Sequence, residues 1–201
     1  MTVFTDKAPW VMNLLKADFD LTTEEAGAIL GNIGHESGGF KYFQEIKPTV
    51  SGSRGGFGWC QWTGPRRLQF EAYCARNKLD PKSDRANYGY LFVELKGSEK
   101  AAIPALKAVK GLDGKVLAFE RNFERAGVIN MPSRMRYANQ ALAAWKLKPA
   151  ARPPYPLDKP VPFDPPRQPD DPGVIPHPLE PDVKPTFWQM LKGVGGSDKL
   201  D

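Results

Sequence analysis

The chain has 201 residues, 41% hydrophobic and 25% charged, with a formal net charge of +5. That supplies one core of ordinary domain size. With only two histidines and two cysteines, Cys60 and Cys74, it offers no Cys/His ligand cluster, so no metal and no cofactor is expected.

In chain order, the first readable element is a helix starting near Thr23. Thr22 and Glu25 stand at capping-box spacing, and Ala26, Ile29, Leu30 and Ile33 recur at three- and four-residue steps. Glu36 follows Ile33 by three and Ile29 by seven, which sets its carboxyl on the apolar stripe. Gly38 and Gly39 end the helix. Burial and the negative end of the helix dipole both disfavour the anion, so Glu36 is expected to keep its proton near neutrality. A carboxylic acid of that kind suits protonation of a glycosidic oxygen. The alternative is a frayed helix-end glutamate in water. His35 points about 100° away from Glu36, which argues against an acid–base dyad.

Residues 41–64 change character. Ser51-Gly52-Ser53-Arg54-Gly55-Gly56-Phe57-Gly58 excludes a long helix and favours a small irregular hairpin. Phe57, Trp59 and Trp62 could stack on sugar rings, and the Gln61 amide could bond hydroxyl or acetamido groups. The same aromatics could equally be core, and at least one is expected to be buried.

Further helices follow. Pro65 opens one over Arg66 to Asn77. Tyr88, Leu91, Phe92 and Leu95 mark a second, and Ser98 caps a third through Ala108, with Pro104 bending it or marking its first turn. Asp113 caps a fourth over Lys115 to Ala126, with Val116, Phe119 and Phe123 inward and Gly127 as its stop. Ser133 starts the last, which buries Ala138, Ala141, Leu142 and Trp145. Helices around a small β lobe give an α+β, mostly α, architecture.

Glu36-Ser37-Gly38-Gly39-Phe40, then Ser51, then Gly58-Trp59-Cys60-Gln61 resembles the lysozyme-like superfamily. More narrowly, Gly58 to Arg67 resembles the Gln-Trp-Thr-Gly-x-Arg signature of phage tail-type lysozyme domains, also found in phage endolysins. Leu91 to Leu95 and Phe123 to Gly127 are similar to that family too, and the likeness runs over about residues 8–146. The resemblance implies a lysozyme-like fold and a muramidase acting on bacterial peptidoglycan, with Glu36 as general acid. Glu45 and Ser51 fall where many phage lysozymes carry a second acid and a hydroxyl. Glu45 stands in place of the usual aspartate, and Thr49 competes with Ser51. A Glu45 that activates water implies an inverting hydrolase, and a Glu45 that points away implies a lytic transglycosylase. A glutamate paired with Lys41 or Lys47 is the plain alternative. Ser37, Gly58, Trp59, Gln61 and Trp62 are the implied substrate contacts. Tyr137 joins them if it lines the cleft as a late-helix tyrosine does in related enzymes; a core position is the alternative. Arg125 pairs either with a cleft carboxylate or with Glu120 or Glu124. A non-catalytic wall-binding module is the remaining alternative.

Charge divides the chain. Residues 1–148 hold 22 Lys+Arg against 15 Asp+Glu, a net of +7, and residues 149–201 hold 6 against 8, a net of −2. A basic body is drawn to anionic polymers such as the wall. Nucleic acid is not expected, for want of a basic-aromatic RNA motif or a helix-turn-helix. Residues 1–148 are read as the catalytic domain and 149–185 as an extended linker, since 14 of 20 prolines lie between Pro149 and Pro185. Residues 186–201 include Phe187-Trp188-Gln189-Met190-Leu191, too short to span a bilayer. Its apolar face could dock on a membrane surface, a partner or the domain, with disorder as the alternative. A monomer with free thiols is expected. No secretory signal is visible, and the resemblance to phage lysozymes then implies synthesis in a host cytoplasm and delivery to the wall through a pore or on a virion tail.

Overall fold

Two helices begun on threonine caps open the fold. In the computed structural model, which describes residues 2–45, 48 and 52–154, α1 spans Val3–Phe19 and α2 spans Thr23–Glu36. At α2 both bonds of the expected capping box form: Glu25 N–H donates to Thr22 Oγ1 at 3.2 Å, and Thr22 N–H donates to Glu25 Oε2 at 2.9 Å. Each satisfies a donor that has no partner within the helix. The helix stops at Glu36, and Gly38 and Gly39 follow at φ 57° and 73°, where a side chain would be strained.

Nothing in the sequence analysis anticipated α1. Its buried face carries Phe4, Ala8, Val11, Met12, Leu15 and Phe19 at helical spacing, but Pro9 lies inside it and obscures the pattern.

The later helices keep their expected order with shifted ends. α3 is Gly64–Arg76 with Pro65 in its first turn, and α4 is Asp84–Lys96 with Tyr88, Leu91 and Leu95 buried. α5 is short, Ala102–Lys107, and Ser98 does not cap it. The single helix expected from Lys115 to Ala126 is α6, Leu112–Phe119, continued by a π turn at Glu120–Glu124. That turn ends on Arg125 in the left-handed conformation, φ 53°, and not on Gly127. α7 is Met131–Leu147, and its cap is Asn130, whose Oδ1 accepts from Ser133 N–H at 3.1 Å.

The expected β-hairpin lobe needs correction. Among the described residues no strand forms, only isolated antiparallel bridges pairing Gln44 with Phe57 and Phe57 with Trp62. Gly55, Gly58, Gln61 and Gly64 all take positive φ, which turns the chain too often for a ladder to extend. Side chains hold the loop instead: Arg67 Nη1 donates to the carbonyls of Arg54 and Gly55 at 2.6 and 2.9 Å, and Gln44 Nε2 donates to Arg54 O at 2.8 Å. The described domain is therefore helical, and this braced loop replaces the sheet.

α2 is the central helix. Ile29, Leu30 and Ile33 are wholly buried, each contributing about 1.5–3 kcal/mol by transfer from water. Its other side lies so close to α7 that a Cβ on Gly31 would stand 2.7 Å from Arg134 O. That approach brings the start of α7 beside the end of α2. No helix among the described residues is long and apolar enough to cross a membrane. The readings on Ser51, on Thr49 and on residues 155–201 lie outside the described residues.

Candidate active site

The C-terminal end of α2, the loop after it, the start of α3 and the π turn enclose a polar cleft of about 530 Å³. Glu36, Glu45, Gln61, Arg66 and Glu124 line it, with His35 and Cys60.

Glu36 does not stand alone on an apolar stripe. Arg134 Nη2 donates to Glu36 Oε1 at 2.7 Å, and Arg134 Nη1 donates to Asn32 Oδ1 at 3.0 Å. Asn32 is itself held by its Nδ2, which donates to Ala28 O and Val116 O at 3.0 and 3.1 Å. The arginine side chain has no exposure while that of Glu36 retains 20%, so one end of the pair opens to the cleft. A guanidinium at this distance is a partner for the carboxylate. The expectation that burial and the dipole alone govern Glu36 is thereby corrected.

A second buried pair forms the adjoining wall. Arg66 grips Glu94 through two bonds of 2.7 and 2.9 Å, and Trp62 Nε1 donates to Glu94 Oε2 at 2.6 Å. Arg66 Nη1 also reaches Phe123 O at 3.2 Å, which anchors the π turn to α3. Glu124 comes next in that turn, with its Oε1 buried and without a hydrogen-bond partner among the described residues. Burial pushes the Glu124 carboxyl well above the usual carboxylate range, and the charge of Glu36 pushes it further. Burial likewise raises the Cys60 thiol far above its usual range, so it is no nucleophile at neutral pH. His35 is held below its usual value by burial and then by Arg134, which leaves the ring neutral at pH 7, its Nδ1 3.0 Å from Ser133 Oγ.

The residues expected from the sequence fall into distinct groups. Glu45 lines the cleft, and its Oε2 accepts from Gly56 N–H at 2.8 Å. Gln61 lines it too, its Nε2 donating to Gly58 O at 2.8 Å and Tyr42 O at 3.2 Å. Ser37 is spent on the helix end: its Oγ donates to Ile33 O at 2.7 Å and accepts from Phe40 N–H at 2.8 Å. Gly58 allows a close approach, since a Cβ there would lie 2.6 Å from the Trp62 ring. Trp59 and Trp62 are 0% and 1% exposed, so neither ring offers a face for sugar stacking. Trp59 packs on Phe40 and Trp62 on Phe70 and Tyr90. Tyr137 packs edge-on against Phe4 and does not line the cleft. Arg125 borders the cleft but pairs with Glu99 at 2.8 Å, not with the glutamates expected.

A sequence model of phage tail lysozymes matches residues 6–145 of this chain. The chain belongs to the phage tail lysozyme family. Comparison with curated proteins and with solved structures returns no match. The matched region covers every helix described above apart from the outer ends of α1 and α7, and it contains the whole cleft. Membership gives this lysozyme-like domain a peptidoglycan-lytic role in general terms.

Two residues that shape the cleft of the phage tail lysozyme escaped the sequence reading, Arg134 behind Glu36 and Glu124 in the cleft wall. Arg134 left a signal, because it precedes Ala138 and Ala141 by four and seven positions and so lies on the buried stripe of α7. An arginine there needs a carboxylate. Glu124 left a weaker one, next to the inward Phe123, since only the π turn brings it to the cleft.

Proposed function

We propose that this chain cleaves the bond between N-acetylmuramic acid and N-acetylglucosamine in bacterial peptidoglycan, with Glu36 as general acid. The supporting observation is that Glu36, rooted at a helix end, and Glu45, on the loop that follows, line one polar cleft. Glu36 gives its proton to the glycosidic oxygen as the C1–O bond breaks and its electron pair passes to that oxygen. Water attacks C1, and Glu45 takes a proton from it. In this reading the anomeric configuration inverts, which NMR of the first-formed product reads. Gln61 bonds the sugar from the cleft wall, and no metal or cofactor takes part.

The test is Glu36→Gln on purified sacculi. Muropeptide release falls at least about 100-fold, the scale of a lost general acid, while circular dichroism shows a protein still folded at the assay temperature, with a lower melting point because Arg134 loses its charged partner. A lytic Glu36→Gln protein overturns the proposal, and persistent binding to sacculi by the wild type without released muropeptide replaces it with a wall-binding module.

One observation favours a second reading. Because Gly56 N–H engages one oxygen of Glu45, the loop backbone already uses that carboxylate. With Glu45 so occupied, the muramoyl 6-hydroxyl attacks in place of water, as in lytic transglycosylases. Mass spectrometry separates the two, since 1,6-anhydromuramic ends are one water lighter. Residues 1–148 form the proposed catalytic domain, made in a host cytoplasm and delivered to the wall or carried on a virion tail.

A further inference from the structure

The cleft holds one carboxyl for which the proposed reaction has no use. Glu124 closes the π turn Glu120–Glu124, a rare geometry that concentrates at functional sites. Its Oε1 is fully buried and unpartnered among the described residues, although leaving a buried polar oxygen unpaired is costly. Charged or titratable groups from four helices and the loop act on it: Glu36 from α2, Cys60 from the loop, Arg66 from α3, Glu94 from α4 and Arg134 from α7. Arg66 is committed to Glu94, and Arg134 bonds Glu36 and Asn32 through its two terminal nitrogens while its Nε makes no hydrogen bond among the described residues. Glu124 is the carboxyl left over. A half-buried carboxyl whose inner oxygen has no donor and whose nearest cations are bonded to other carboxylates is favoured as the neutral acid.

We infer that Glu124 and Glu36 share one proton across the cleft, with Glu124 holding it in the free protein, which makes Glu124 a positioning residue for the proton that Glu36 delivers. This inference rests on the reading of Glu36 as the acid. In the free protein Glu36 is the carboxylate that Arg134 binds, and Glu124 is neutral. When glycan enters, the proton passes from Glu124 to Glu36 and then to the glycosidic oxygen as the C1–O bond breaks. Arg134 bonds Glu36 directly and its charge also acts on Glu124, so it helps to balance Glu124 once that group is charged. Solvent returns one proton to the pair, and the proton that Glu45 takes from water leaves to solvent. Two interacting carboxyls titrate as a pair, so removing either one moves the other.

The experiment is a carboxyl-carbon NMR titration of the full chain as wild type, Glu124→Gln and Glu36→Gln. One glutamate titrates above the usual range, vanishes in Glu124→Gln, and falls by about one pH unit in Glu36→Gln, where the neighbouring charge is gone. A Glu124 signal in the usual range, or one that Glu36→Gln leaves in place, overturns the inference. In sacculus lysis, Glu124→Gln moves the basic limb of the pH–rate profile to lower pH, a shift that a merely structural loss does not produce. An unmoved limb also overturns it. The titration needs no enzymatic turnover, so shared protonation is judged separately from the lytic reading, which falls if Glu36→Gln still lyses.

Discussion

Arg134 Nη2 donates to Glu36 Oε1 at 2.7 Å from a guanidinium with no solvent exposure, so a late helix holds the carboxyl that an early helix presents. Arg134→Met keeps the stem and removes the fork, stranding Glu36 and Asn32 Oδ1. Stability falls by roughly 3 kcal/mol, the low end for a broken buried pair because Glu36 is partly exposed. Urea unfolding measures it, and a Met variant that unfolds like the wild type counts against the pairing. Arg134→Lys keeps the charge but cannot span both acceptors, and falls between the two.

The spacing of α2 and α7 rests on Gly31. A Cβ there meets Arg134 O at 2.7 Å and Ala138 Cβ at 2.8 Å, so Gly31→Ala forces α7 outward. Overpacking of this kind costs about 1–3 kcal/mol, and it should lower lysis as well by loosening the Arg134 contact. Gly114→Ala in α6 is the control. Its Cβ meets nothing nearer than Val109 Cβ at 3.7 Å, and the helix gains up to about 1 kcal/mol. Melting curves of the two variants should move in opposite directions.

Trp62 separates a packing role from a stacking one. Trp62→Phe removes the 2.6 Å donor to Glu94 and costs about 1–3 kcal/mol, while sacculus affinity is unchanged because the ring does not face the cleft. A large affinity loss with unaltered stability is the result that contradicts this placement.

Glu25 gives the acid limb of stability a definite sign. Burial raises its pKa, but the Thr22 N–H and then the Lys115 ammonium, 3.0 Å away, outweigh it and bring the net value below the ordinary 4.5. A carboxyl depressed in the folded state stabilises above its unfolded pKa, and that contribution is lost as pH falls through the folded value. Glu25→Gln therefore loses about 1 kcal/mol at neutral pH, and the gap from wild type closes below pH 4.5. Thermal melts between pH 3 and 7 trace the gap, and a constant gap contradicts the assignment.

The two thiols should be silent until the chain unfolds. Cys60 and Cys74 are free and buried, and burial pushes Cys74 up to about 12. A thiol-exchange reagent at pH 8 reacts slowly with the native protein and with both cysteines in denaturant. Fast native labelling of either one contradicts their burial.

Much of the helical fold was legible because its signals are local. Thr22, Glu25, the apolar steps through Ile33 and the paired glycines define α2 within eighteen residues of sequence, and α7 was read from Ser133 onward although its cap is Asn130. The loop was misjudged for the converse reason: turn residues announce bends but do not say whether a ladder forms between them. Five positive-φ positions between Gly52 and Gly64 decided against one among the described residues. The tryptophans were misplaced because an indole suits a sugar face and a core equally well, and only the packing of Phe40, Phe70 and Tyr90 tells which.

By itself the sequence determined that a capped apolar helix ends in Glu36 and that a glycine-rich Trp-Gln loop follows, since caps, periods and helix stops act over a few residues. Tertiary structure alone decided the electrical company Glu36 keeps. Arg134 lies 98 positions away, and Glu124 reaches the cleft only through a π turn. Charge interactions depend on distance through space and on exclusion of water, and neither is set until the helices have packed.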